Sequence, residues 1–153
     1  GNGLCRVDER WFAHALPAEV LGRPVQLIPR EEMIWSKAFI MERERFDGAD
    51  IAHLLRARGS EMDWHRLLAR FGIYWPVLLG HLILFGFIYP IERAQIPHWV
   101  MDELVRRLQE EMNLAPHQDH VCQGTLLSHT QYLIDIERWG YQDARLRVQP
   151  NRP

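Results

Sequence analysis

The segment at residues 37–50 contains the side chains of this 153-residue chain that are best suited to binding or transferring a phosphate group. Lysine and arginine hold phosphates through charge-assisted hydrogen bonds, and an aspartate can orient a lysine or act as a general base. We therefore predict binding roles for Lys37, Arg43 and Arg45, and catalytic roles for Asp47 and Asp50. These side chains would converge where one helix ends and the next begins.

The surroundings of Lys37 leave two interpretations open. Residues 30–46 are predicted to form one helix, and on it the positions three and four residues from Lys37 are all apolar. They are Met33, Ile34, Ile40 and Met41. An ammonium group on an apolar patch is unfavourable unless it extends to water or meets an anion. Lys37 is therefore either a lysine that extends to solvent or a cleft lysine that meets a phosphate or carboxylate.

The two aspartates also have a purely structural explanation. Asp47 is positioned to cap a helix over residues 48–58, and Asp50 would lie in its first turn, where a carboxylate complements the helix dipole. An ideal helix would turn Arg43 away from Lys37. A ligand shared by Arg43 and Lys37 would require a bent helix or an extended arginine.

The hydrophobic pattern predicts an α+β fold that is mostly α: one or two short N-terminal strands, then a bundle of five or six helices. The strands are predicted at residues 4–7 and 24–28. A capping box at residues 128–131 is predicted to open the last helix. The predicted helices cover residues 30–46, 48–58, 64–71 (capped by Asp63), 73–89, 97–113 and 128–139.

The run at residues 73–91 has about the length of a membrane span. It also contains Pro76, His81 and two glycines, and amphipathic segments of mixed charge flank it. We therefore predict a buried central helix, no membrane segment, and a hydrogen-bonded core role for His81. The predicted core residues are Trp35, Phe39, Leu54, Leu55, Leu78, Leu79, Leu82, Leu84, Phe85, Val100, Leu104, Leu108, Leu133 and Ile136.

The composition limits the class of protein. With 47% apolar residues, 25% charged residues and a net charge of −2, the chain has no broad basic field for nonspecific nucleic-acid binding. Its two cysteines are far apart, which favours a cytoplasmic location. We predict solvated helix faces for the arginines at positions 66, 70, 106 and 107.

A loop near the C-terminus contains several side chains of types that bind metals: His117, Asp119, His120 and Cys122. They could hold Zn²⁺, but their spacing matches no standard zinc site. A solvated loop with a thiol is the favoured interpretation, so no metal site is predicted.

Residues 31–50, EEMIWSKAFIMERERFDGAD, resemble the C-terminal signature of bacterial nucleotidyltransferases. The similarity is to the AbiEii-like group of the polymerase-beta-type superfamily, some of which are toxins of toxin–antitoxin pairs. Their pattern is a strand, a helix with Lys and Arg, and Arg-Asp-x-x-Asp opening the next helix. Arg45, Asp47 and Asp50 follow this arrangement closely, with Phe46 as a one-residue departure.

The resemblance implies that the protein binds Mg²⁺ and an NTP and transfers a nucleotide to an unknown acceptor such as RNA or protein. The metal centre of this family needs a Gly-Ser turn followed by an Asp-x-Asp strand, and this chain contains no such motif, because it has no Asp-x-Asp. The resemblance therefore places the catalytic lobe upstream and implies that the chain alone is inactive.

The same resemblance suggests a division of the chain. Residues 1–29 would be a strand-containing remnant of the nucleotidyltransferase core, residues 30–147 a helical domain, and residues 148–153 a loose tail. A surface bared by a missing lobe should be apolar and favours self-association. The alternative is a non-catalytic helical interaction domain, in which Lys37 and the two aspartates only form ion pairs and cap a helix.

Overall fold

A computed structural model describes residues 4–5, 7–116 and 118–147 of the chain. It is mostly helical, with an antiparallel pair of strands near the N-terminus, which confirms the predicted α+β class. The elements of the described part are α1 (Glu9–Ala13), β1 (Leu16–Val20), β2 (Arg23–Leu27), α2 (Arg30–Ala38), α3 (Gly48–Arg58), α4 (Trp64–Phe71), α5 (Trp75–Ile88), α6 (His98–Met112), β3 (Val121–Cys122), α7 (Leu133–Glu137) and β4 (Gln142–Asp143).

Strands β1 and β2 form a hairpin closed by the two-residue turn Leu21-Gly22, in which both residues have positive φ. This turn geometry matches the natural twist of two paired strands. Strand β2 confirms the strand predicted at residues 24–28, whereas its partner β1 was not predicted. The strand predicted at residues 4–7 is wrong, because Leu4 and Cys5 lie in a bend that packs against the helical core.

The single helix predicted over residues 30–46 is also wrong. Helix α2 ends at Ala38, and the chain then turns back on itself between Met41 and Phe46. The turn is closed by the backbone of Glu42 and Arg45, whose amides each donate to the other residue's carbonyl. Contacts with distant residues hold this turn, because the amide of Met41 donates to the carbonyl of Leu127 and the side chain of Gln131 donates to the carbonyl of Met41. A helix continued to Phe46 would not make the turn at residues 41–46.

The core lies between α2, α3, α4, α5 and α6. Most of the predicted core positions are buried there, but two are wrong. Leu84 and Leu108 are exposed, because each lies on the outer face of its helix. The predicted core positions Leu54, Leu133 and Ile136 are half-buried.

Helix α5 is buried on one face only, so the prediction of a buried central helix holds for half of it. Leu78, Leu82 and Phe85 face the core, whereas Ile83 and Phe87 face outwards. The helical segment Trp64–Ile88 is long and apolar enough to cross a membrane by length and composition, and 33% of its most apolar window is buried. Core helices of soluble proteins pass the same test, so the predicted absence of a membrane segment stays a prediction.

The C-terminal part is less helical than predicted. Only α7 is helical in residues 128–139, and half of the predicted capping box forms: the amide of Gln131 donates to the hydroxyl of Ser128. The side chain of Gln131 instead donates to the carbonyl of Met41, which ties this segment to the turn after α2. The predicted loose tail at residues 148–153 lies outside the described residues.

Candidate functional site

Four of the five predicted site residues meet at one place. The Lys37 ammonium lies 3.1 Å from Asp47 Oδ2 and 2.6 Å from Asp50 Oδ2. The Arg45 guanidinium donates to both carboxylate oxygens of Asp47, over 3.1 and 3.2 Å. We call Lys37, Arg45, Asp47 and Asp50 the Lys37 cluster.

The turn after α2 is what brings these residues together. Lys37 lies in the last turn of α2, and the reversal between Met41 and Phe46 returns the chain so that Asp47 stands opposite it. The amide of Asp47 donates to the carbonyl of Ile40, which fixes this return. Asp47 occupies the N-cap position of α3, as predicted, but its side chain makes no capping hydrogen bond. It accepts from Lys37 and Arg45 instead.

His81 holds the end of α2 in place. Its side chain is buried, its ring stacks on Phe46, and Nε2 lies 3.0 Å from the carbonyl oxygen of Ala38, to which it donates. The last carbonyls of a helix have no partner within the helix, so this bond satisfies one of them. Burial lowers the pKa of His81, which keeps the ring neutral. The predicted role of a hydrogen-bonded core histidine is confirmed.

The electrostatics of the cluster are those of mutually supporting ion pairs. The hydrogen bond to Asp50 raises the pKa of Lys37 against the effect of burial, and Asp47 adds to the rise. The hydrogen bond from Arg45 lowers the pKa of Asp47, again against burial, with help from Lys37. Lys37 and Asp47 are therefore charged at neutral pH, and the cluster combines two basic with two acidic side chains.

The cluster is open to solvent on one side only. The Asp47 side chain is 9% exposed and that of Lys37 is 23% exposed, whereas those of Asp50 and Arg45 are 57% and 65% exposed. A ligand arriving from solvent would thus meet one carboxylate and one guanidinium first, with the ammonium between them and Asp47 behind.

Arg43 does not join the cluster. It is exposed and borders a surface cavity of about 600 Å³ together with Glu42, Glu44, Thr130 and Gln131. The structure therefore leaves Arg43 flanked by two acidic residues rather than by Lys37.

A second group of charged residues was not recognised in the sequence. Glu31 and Glu32 in the first turn of α2 are buried, and they pair with Arg66 and Arg70 of α4. Arg70 also pairs with Asp8, at 2.8 Å. The prediction that Arg66 and Arg70 lie on solvated faces is wrong, because their partners come from another helix. Arg106 and Arg107 do pair on their own helix, with Glu103.

The possible metal ligands of the C-terminal loop that the structure describes contact different partners. Asp119 forms an ion pair with Arg147, the ring of His120 lies beside that of Tyr141, and Cys122 belongs to β3. His117 lies outside the described residues. Within the part of the chain that the structure describes, no group of His, Cys, Asp and Glu is arranged to hold a metal ion.

No protein-family model, no curated protein and no solved structure matches the chain significantly.

Proposed function

We propose that this chain is the NTP-binding C-terminal part of a nucleotidyltransferase, which transfers a nucleotide to an unknown acceptor and whose catalytic metal motif lies upstream. The observation that supports this proposal most is the convergence of Lys37, Arg45, Asp47 and Asp50 at the junction of α2 and α3. These are the residues that match the family pattern. They lie together because the chain reverses direction between Met41 and Phe46.

The exposures of the side chains suggest a division of roles. Lys37 is held protonated and would place its positive charge against the phosphates, with the exposed Arg45 beside it. Asp47 is buried behind two cations, so it is a positioning residue that orients Lys37 rather than a general base. Asp50 is the carboxylate that solvent and ligand can reach, and it would act as the base or face the metal of Mg·NTP.

The balanced charge of the cluster has a consequence for binding. A phosphate that approaches Lys37 competes with Asp50 for the same ammonium, at 2.6 Å. Mg²⁺ would relieve this competition by drawing the exposed carboxylate towards itself. We therefore expect that the chain binds Mg·NTP more tightly than the metal-free nucleotide.

The test is the stability of the folded chain with and without each of the four Mg·NTPs. A ligand that binds only the native state raises the free energy of unfolding by about 2.7 kcal/mol at 100 times its dissociation constant. Arg45→Gln should weaken the shift, because Arg45 belongs to the Lys37 cluster. Arg43→Gln is the matched control, since Arg43 is also an exposed arginine but lies outside the cluster. The absence of a shift with all four nucleotides would count against the proposal.

A non-catalytic helical interaction domain is the second candidate function. It is favoured by the complete internal pairing of the Lys37 cluster, which could serve only to join α2 to α3. Large apolar side chains also remain exposed on α5, such as Phe87 at 80%. Under this alternative, Arg45→Gln and Arg43→Gln would behave alike and no nucleotide would stabilise the chain.

A further inference from the structure

Helix α5 and the short turns on either side of it expose a row of apolar residues to solvent. Its exposed members are Ile73, Pro76, Gly80, Ile83, Leu84, Phe87, Ile88 and Ile91, which we call the α5 stripe. At 100° per residue, the six members within α5 fall in an arc of about 140° on one side of the helix. Helix α5 contains no acidic or basic side chain except His81, which is buried.

This stripe is larger than the apolar surface that a monomeric protein ordinarily exposes. Ile73, Phe87 and Ile91 are each at least 80% exposed. If a bare large apolar residue presents roughly 175 Å², the six large side chains together expose on the order of 700 Å². Monomers rarely leave more than about 300–600 Å² of contiguous apolar surface in water. A standard protein interface buries about 800 Å² per partner, so the stripe has nearly that size.

The order of residues along the stripe points to a second copy of the chain as its occupant, because five of its eight members are arranged symmetrically about Gly80. Pro76 and Leu84 lie four positions before and after Gly80, and Ile73 and Phe87 lie seven positions before and after it. In a two-fold symmetric contact, residue i of one copy meets residue j of the other and the reverse. An antiparallel crossing of two α5 helices at Gly80 would therefore place Pro76 of each copy near Leu84 of the other, and Ile73 of each copy near Phe87 of the other.

Gly80 itself is suited to the crossing point. A Cβ added there would meet no atom within 4 Å, so the space in front of its backbone is open. Glycine lets two backbones approach closely, although it weakens an isolated helix. A glycine in the middle of an exposed helix face is thus explained by a contact with another backbone.

We propose that the α5 stripe is a homodimer interface in which a second copy of this chain pairs antiparallel, crossing at Gly80. No residue of the Lys37 cluster belongs to the stripe. The dimer can therefore be tested independently of the proposed nucleotide binding.

The test is sedimentation equilibrium of the chain and its variants over a wide concentration range. The wild type should be a dimer, and Phe87→Glu should raise the dimer dissociation constant by about 100-fold or more, because the charge would be buried twice in a symmetric contact. Phe87 is exposed in the single chain, so the variant should fold, which circular dichroism will verify. The matched control is Met112→Glu, since Met112 is 76% exposed on α6 and is not a member of the stripe; it should leave the dimer intact.

A second measurement tests the crossing point. Gly80→Cys should form an intermolecular disulfide on oxidation, because two residues on the two-fold axis come close enough to be bridged. Met112→Cys, and the wild type with its Cys5 and Cys122, should remain uncrosslinked under the same conditions. A wild type that is monomeric at every concentration would overturn the proposal, as would a dimer that Phe87→Glu does not affect. If the monomer instead binds phosphatidylcholine vesicles through the stripe, the surface is a lipid contact and the dimer is refuted.

Discussion

The two ends of α2 hold charged residues in opposite ways. At its N-terminal end, Glu31 and Glu32 are buried and paired with Arg66 and Arg70 of α4. At its C-terminal end, Lys37 pairs with Asp47 and Asp50 in a cluster that opens to solvent. Both arrangements complement the helix dipole, with acids in the first turn and a base in the last.

Burial decides what each group of charges can do. The Glu32 side chain is 1% exposed and that of Arg70 is 8% exposed, so neither can meet a ligand without the fold opening. Charges buried in this way are strongly destabilising when one partner is lost, whereas exposed pairs contribute little. The comparison therefore assigns the N-terminal group to folding and leaves the C-terminal group free to serve a ligand.

The largest effect is expected from Arg70→Met. Arg70 Nε lies 2.8 Å from Glu32 Oε2, and its guanidinium lies over the ring of Trp35. Methionine keeps much of the volume but removes one of the two cations that pair with the buried carboxylate of Glu32, which then keeps only Arg66. The free energy of unfolding should fall by about 3–5 kcal/mol, measured by urea denaturation.

Arg106→Met is the control for Arg70→Met. Arg106 also pairs with carboxylates, but its side chain is 53% exposed and its partners lie on its own helix. Arg106→Met should lower the free energy of unfolding by much less than Arg70→Met does. If both substitutions lower the free energy of unfolding by the same amount, burial does not distinguish these ion pairs. The assignment of the buried group at the N-terminal end of α2 to folding would then be wrong.

Asp47→Asn is expected to have an intermediate effect. It removes the one buried carboxylate of the Lys37 cluster and should cost about 1–2 kcal/mol near neutral pH. The pKa of Asp47 is lowered in the folded chain, so its contribution is present above its ordinary pKa of 3.8 and is lost as the pH falls through the folded value. The difference between wild type and variant should therefore shrink in acid. A difference that is constant with pH would show that the ion pairs are not its cause.

A smaller effect concerns His81, which holds the α2 end that carries Lys37. Burial lowers the pKa of His81 below 6.5, so its neutral form contributes stability that is fully present above pH 6.5 and is lost as the pH falls below it. Melts between pH 7.5 and 5.5 should show stability falling by at most about 1.4 kcal/mol per pH unit from this group. His81→Gln should flatten that slope, and an unchanged slope would assign it to other groups.

Features that depend on neighbouring residues, such as helix ends, could be predicted from the sequence. Features that depend on contacts between distant residues were missed. Caps and glycines placed α3 and α4 correctly. Of the five predicted site residues, Lys37, Arg45, Asp47 and Asp50 lie together, whereas Arg43 does not join them. The turn after Ala38 was missed because it depends on hydrogen bonds of Met41 with Leu127 and Gln131, which are distant in the sequence. The pairing of Arg66 and Arg70 was missed because their partners are some thirty or more residues away in sequence.

The central claim is that Lys37 serves a ligand more than the fold, and Lys37→Met tests it most directly. Lys37 pairs with an exposed Asp50 and with an Asp47 that keeps Arg45, so methionine should cost no more than about 1 kcal/mol of stability. Stabilisation by Mg·NTP should be lost at the same time. The measurement is a pair of denaturant titrations, on wild type and Lys37→Met, each with and without nucleotide. A variant that is clearly less stable, yet is stabilised by Mg·NTP as much as the wild type, would contradict the account.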